Sequence, residues 1–261
     1  MAPVSKESQR LQRTPAGGGC GSNAAPLDKD AIVTSEEPFS RLTRETLRDH
    51  LCGEIRPGSG SRPALLLVED RGARAVVKDY RHSGWLLRGA LGPWLIAREA
   101  QVYRLLAGCA GVPRLICRLD RWALLVEHIE GRSCAEYAEG ELPAEFFDRL
   151  REVVEGMHAR GVVHCDIKNR GNIVVGPGGQ PYLLDFAAAF TRGSALNPVR
   201  RALFERFRLD DLRGVTKAKL LVGRLWNQPD ADFAFKRGPF ERAVRAVRDS
   251  ARRAFKLLVR G

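Results

Sequence analysis

Val163-His164-Cys165-Asp166-Ile167-Lys168 is followed by Asn172-Ile173-Val174-Val175 and then, beyond Gly176-Pro177-Gly178-Gly179, by Leu183-Leu184-Asp185-Phe186. Two short apolar runs around a Pro-Gly-Gly segment read as a β-hairpin. Asn172 stands just before its first strand and Asp185 just after its second. A loop carrying Asp166 and Lys168 therefore leads straight into a strand pair that ends in a second carboxylate. Upstream, Phe146, Phe147, Leu150, Val153, Val154 and Met157 recur at helical spacing over residues 143–160, and Gly161 is placed as a C-terminal stop. This helix delivers the chain to His164.

Further toward the N-terminus, Ala64-Leu65-Leu66-Leu67-Val68 and Ala75-Val76-Val77-Lys78 bracket the polar Glu69-Asp70-Arg71-Gly72. The pattern predicts another hairpin, with Lys78 closing its second strand. Residues 98–106 carry Val102, Leu105 and Leu106 among polar neighbours, which predicts a helix bearing Glu99. Val112-Pro113 leads into strands predicted at 114–117 and 122–129. Residues 1–37 are rich in Gly, Ser, Ala and Pro without periodicity and read as a disordered tail. No internal repeat is present.

Phosphoryl transfer to a hydroxyl asks for a carboxylate near the attacking oxygen and a cation for the migrating group. It also asks for an amide and a second carboxylate to hold Mg²⁺. Asp166, Lys168, Asn172 and Asp185 offer those types in that order. The succession His-x-Asp-x-Lys, Asn, short apolar strand, Asp-Phe resembles the catalytic loop and metal motif of the protein-kinase-like superfamily. The resemblance covers roughly residues 65–190. It implies a bilobal α+β kinase-like fold, with an N-terminal lobe over 38–129 and a shortened catalytic lobe with a basic helical tail over 130–261.

The same resemblance implies ATP and Mg as cofactors and assigns roles. Asp166 orients or deprotonates the acceptor hydroxyl, and Lys168 neutralises charge on the γ-phosphoryl group. Asn172 and Asp185 ligate Mg²⁺ through oxygen. Lys78 contacts the α- and β-phosphates and pairs with Glu99. Gly58 and Gly60 are the candidates for a glycine-rich lid, and backbone groups of Glu127 and Ile129 bond adenine, with Val126 behind it. His164 packs beneath Asp166 without a proton-transfer role.

Four features depart from the family pattern. Asn172 lies six residues after Asp166 rather than five, so one residue is inserted; Gly171 is the candidate to absorb it as a tight turn and Asn169 an alternative ligand. Cys165 replaces the arginine that receives an activation-loop phosphate. Ala187 replaces the glycine of Asp-Phe-Gly. Beyond Phe186 no Ala-Pro-Glu element appears in the remaining 75 residues. This abbreviation is similar to RIO-like kinases and to lipopolysaccharide-core (Kdo) sugar kinases.

The formal charge is +12, and from Arg200 onward 17 Lys or Arg face 7 Asp or Glu, so the excess is concentrated at the C-terminal end. That balance favours an acidic partner, an anionic membrane surface or nucleic acid. Residues 241–260 place Val244, Val247, Ala251, Phe255 and Leu258 on one helical stripe, suited to packing on the lower lobe or to an anionic membrane. Trp85, Leu86, Leu87, Trp94 and Leu95 allow the same two readings. The longest hydrophobic stretch, 84–100, is broken by Arg88, Pro93 and Arg98, which excludes a membrane span. Six scattered cysteines without metal-ligand spacing point to a reducing cytoplasm, with at most peripheral attachment to the inner face of a membrane. The resulting expectation is an ATP- and Mg-dependent phosphotransferase, with protein Ser or Thr the leading acceptor. A glycan, lipopolysaccharide-core or small-molecule kinase and a nucleotide-binding pseudokinase are the alternatives.

Overall fold

The computed structural model describes residues 37–235, apart from 61, 86 and 195. The helix expected over 241–260 and all but the last residue of the expected tail lie outside the described residues. An antiparallel sheet comes first: β1 (Leu51–Arg56), β2 (Ala64–Asp70), β3 (Ala73–Asp79), then, after helix α1 (Gly92–Leu105), β4 (Leu115–Arg118) and β5 (Ala123–Glu127). Their order in space is β1-β2-β3-β5-β4. The predicted hairpin is β2–β3, in register from Ala64 opposite Asp79 to Asp70 opposite Ala73.

Strand alternation sorts the side chains of this sheet. Val68, Ala75, Val77, Ala123 and Leu125 face Phe39, Leu42 and Leu47, which close the outer side of the sheet. Lys78 lies opposite Leu124 and Val76 opposite Val126, on the other face, where Leu124 packs with Tyr80, Leu87 and Ile96. Period two thus delivers Lys78 to the side on which α1 lies.

Helix α1 begins at Gly92, six residues before the predicted start, with Pro93 in its first turn. Proline lacks only an N–H that has no partner at a helix start, so a residue that reads as a break inside a hydrophobic run opens the helix instead. Leu87 is buried, whereas Trp85 and Trp94 are 63% and 56% exposed.

The lower lobe follows β5 through Glu130-Gly131. It contains β6 (Arg132–Ser133), α2 (Ala144–Ala159), β7 (Val162–Val163), β8 (Ile173–Val175), β9 (Pro181–Leu183), β10 (Phe190–Thr191), α3 (Pro198–Val222) and α4 (Gln228–Phe235). Helix α2 matches the predicted span and buries the predicted stripe. Gly161 ends it at φ +76, with its amide on His158 O at 2.9 Å, a left-handed stop that suits glycine. The predicted Pro-Gly-Gly hairpin is β8–β9, with Ile173 opposite Leu183. Val102 and Tyr103 of α1 and Leu106 just after it join Phe146, Leu150, Met157, Ile173 and Phe186 in a single core, so α1 is packed into the lower lobe as well as the upper one.

Candidate active site

Lys78 Nζ stands 2.8 Å from Glu99 Oε2 and 2.7 Å from Asp185 Oδ1. Strand alternation brings the lysine from β3, α1 supplies Glu99, and the end of the β8–β9 hairpin supplies Asp185. Both Lys78 and Glu99 are buried, while the Asp185 side chain is 46% exposed. Burial works against the charge on Lys78, but the two carboxylates outweigh it and raise its pKa above the ordinary lysine value. For Glu99 burial dominates and raises the pKa, with Lys78 opposing. Asp185 ends below the ordinary aspartate value, because the Lys78 ammonium and the Ala187 amide overcome its desolvation.

Asp185 itself adopts φ 63, ψ 79, and its Oδ1 accepts the Ala187 amide at 3.3 Å. A left-handed aspartate is strained unless its surroundings hold it. Phe186 provides part of that hold, buried edge-on against Tyr103 of α1 at 5.1 Å and tilted on the His164 ring at 4.9 Å.

His164 is buried and structural, as expected. Its Nδ1 accepts the Asp166 amide at 3.3 Å, which assigns the proton to Nε2, 3.0 Å from Leu184 O. Asp166 Oδ2 receives the Asn172 side-chain amide at 3.0 Å, and the same nitrogen reaches Asp166 O at 3.1 Å. Leu184 N donates to Asn172 O at 2.8 Å, so Asn172 lies across the hairpin end from the residue preceding Asp185.

The inserted residue is absorbed differently from the expectation. Residues Arg170–Asn172 form one 3-10 turn capped by Asn169, whose Oδ1 accepts the Gly171 amide at 3.2 Å, and Gly171 has no left-handed φ. Asn169 thereby spends its oxygen on the turn and offers its Nδ2 to Asn172 Oδ1 at 3.2 Å. Each asparagine oxygen therefore accepts one hydrogen bond and keeps a second lone pair. Hard oxygen donors at Asn172 and Asp185 fit a Mg²⁺ ion shared with phosphate oxygens.

The remaining expected residues are more scattered. Lys168 reaches Asp210 on α3 at 3.7 Å. Gly58 and Gly60 lie in the β1–β2 connection, as a lid would, but Gly60 O is bound by the Gly84 amide at 3.1 Å and Arg62 O by Ser83 Oγ at 3.0 Å. The Glu127 amide donates to Arg114 O at 2.9 Å within the sheet, and its side chain lies on the outer face with Phe39 and Arg74. Only its carbonyl remains for a purine edge. Ile129 follows in the connection between lobes, its Cγ2 close over Gly176.

Sequence reasoning missed Asp211. This buried carboxylate on α3 accepts the His164 amide at 2.7 Å and the Cys165 amide at 2.9 Å, and it lies 3.2 Å from His158 Nε2. It holds the loop at His164 and Cys165 and stabilises the left-handed turn at Cys165, φ 66. A signal existed: Phe204, Asp211, Val215, Ala218 and Val222 are the buried residues of one α3 stripe, and an acid at a core position needs a reason.

No protein-family model matches this chain, and no curated protein sequence matches it. Among solved structures it is similar to the Rio2 kinase from Chaetomium thermophilum, with a TM-score of 0.50 and 16% identity, over 72% of this chain and 61% of that one. A structure of the same Rio2 kinase described as an ADP/Mg²⁺-phosphoaspartate complex matches with a TM-score of 0.48 and 18% identity, over 76% and 65% of the two chains. This chain thus spans less than two thirds of the Rio2 chains it matches. The fold is α+β and protein-kinase-like.

Proposed function

We propose that the chain is an ATP- and Mg²⁺-dependent phosphotransferase acting on a hydroxyl, with protein Ser or Thr as the leading acceptor. The observation that carries this reading is the three-way contact of Lys78 with Glu99 and Asp185, made by residues from three elements far apart in sequence. Preformed charge of this kind stabilises a phosphoryl group in transit without reorganisation at the moment of reaction. A bound Mg²⁺ supplies neutralisation of the phosphate oxygens. Lys78 binds the nucleotide phosphates, Asp185 and Asn172 present oxygen to the metal, and Asp166 accepts the hydroxyl proton while Asn172 holds its other oxygen in place.

A glycan or other small acceptor is the second reading, supported by the short path from β10 to α3. Only residues 192–197 separate Thr191 from Pro198, which leaves little chain for a peptide platform.

The test uses purified protein, γ-labelled ATP, Mg²⁺ and a cell lysate fractionated into protein, lipid and glycan. Label in the protein fraction supports the leading reading, and label in the glycan fraction the second. Asp166→Ala should lower transfer by about 10²–10⁴-fold with Mg²⁺-ATP affinity nearly unchanged, since its proposed partner is the acceptor. No label in any fraction, with nucleotide binding intact, would leave a binding protein in place of an enzyme.

A further inference from the structure

Arg98 precedes Glu99 on α1, yet its guanidinium crosses to the lower lobe. Nη1 donates to Ala187 O at 3.0 Å and Nη2 to Ala189 O. Trp94, one turn earlier on the same helix face, lies against the guanidinium at 5.5 Å. The Ala187 amide in turn donates to Asp185 Oδ1. Two routes therefore join α1 to Asp185: one through Lys78, the other through Arg98 and the backbone of residue 187.

A planar fork on two carbonyls two residues apart fixes both the position and the orientation of that segment, which a lysine's single point charge does not. The segment needs such a hold. Asp185 is left-handed, and Ala187 has a Cβ where the family pattern has glycine, so this stretch has little freedom to adopt a second arrangement cheaply.

We propose that Arg98 is a positioning residue for phosphoryl transfer. By tying α1 to residues 187–189 it keeps Glu99, Lys78 and Asp185 assembled without a separate activating event. The proposal rests on the kinase reading above.

The experiment uses the full chain as wild type, Arg98→Met, Arg98→Lys, Glu99→Gln and the Arg98→Met/Glu99→Gln pair. Arg98→Met is expected to lower kcat by about 10–100-fold with KM for ATP within about threefold, and Arg98→Lys to restore little of it. In the Glu99→Gln background the same change should cost less than about threefold, because both residues act through one assembly. Additive losses in this cycle would overturn the proposal. Hydrogen exchange on the same proteins should accelerate at residues 185–191 in Arg98→Met and stay unchanged in α2. Unaltered exchange at 185–191 in a folded variant would overturn it whatever the kinetics. Wild-type protein that transfers no phosphate to any fraction would sink the kinase reading and the catalytic half of this proposal, while the exchange data alone judge the tie.

Discussion

Asp211 shows how much of a loop can depend on one residue outside it. Its two oxygens take the amides of His164 and Cys165, groups that have no ladder partner at the end of β7. Asp211→Ala leaves both amides buried without acceptors and should cost about 2–4 kcal/mol in urea unfolding. Asp211→Asn, with one acceptor oxygen left, should cost less. An unchanged midpoint in the alanine variant would show that water replaces the carboxylate. Asp185 makes a prediction of opposite origin, in pH. Its folded pKa lies below the ordinary 3.8, so its contribution to stability is present above that value and is lost as pH falls through the folded pKa. Glu99, raised above 4.5 chiefly by burial, has the reverse sign: its ionisation weakens the fold as pH climbs past that value. Asp185→Asn should therefore destabilise the protein more at about pH 6 than at about pH 2.5, and urea midpoints across that range check it. The placement of Asn172 beside Asp166 and of Asp185 at the end of the hairpin was legible because the order of these residues is local. Asp211 was not, because its role depends on a contact 47 residues away in sequence.

Among the elements, those with uninterrupted periodicity were legible and those with a breaker were not. Helix α2 and the two hairpins announce themselves through apolar spacing and turn residues. The first turn of α1 was hidden by Pro93, and the length of α3 by the arginines spread along it. Helix α1 is also held in a way no local pattern reveals. Arg160, just past the end of α2, donates to the carbonyls of Leu106 and Ala107 at 3.1 and 2.9 Å and reaches Gly108 O at 3.4 Å. Leu106 O also accepts the Cys109 amide at 2.8 Å, so the guanidinium clamps the turn that follows α1 and opposes the negative end of its dipole. Arg160→Ala should cost about 1 kcal/mol and speed amide exchange in residues 103–109. If the loss appears instead as a general fall in protection, the cap is no more than a surface contact.

At the scale of the whole molecule, the upper sheet is only half covered by α1, and the chain before β1 closes its other face. Phe39 and Leu42 are buried there, and the Phe39 amide donates to Asp70 Oδ2 at 2.6 Å. Arg44 extends this attachment by pairing with the buried Asp79 and donating to Asp120 Oδ2 at 2.8 Å. Asp79 is one residue beyond Lys78, so the segment before β1 braces the strand that carries the lysine paired with Glu99 and Asp185. None of this stood out in the sequence, where residues 38–50 show no regular period and Arg44 is one charge among many. Two truncations separate bracing from mere linkage. A chain beginning at Pro38 retains every one of these contacts and should unfold cooperatively with the midpoint of the full chain. A chain beginning at Glu45 uncovers Val68, Val77 and Leu125 and leaves Asp79 buried without its guanidinium. It should lose at least about 3 kcal/mol, since both a core aromatic and one half of a buried ion pair are gone. Nucleotide-induced thermal stabilisation should fall with it, because Lys78 shares the strand. If the shorter chain unfolds at the same denaturant concentration as the longer one, the outer face of the sheet is closed by something other than Phe39 and Leu42, and the brace on β3 is not Arg44.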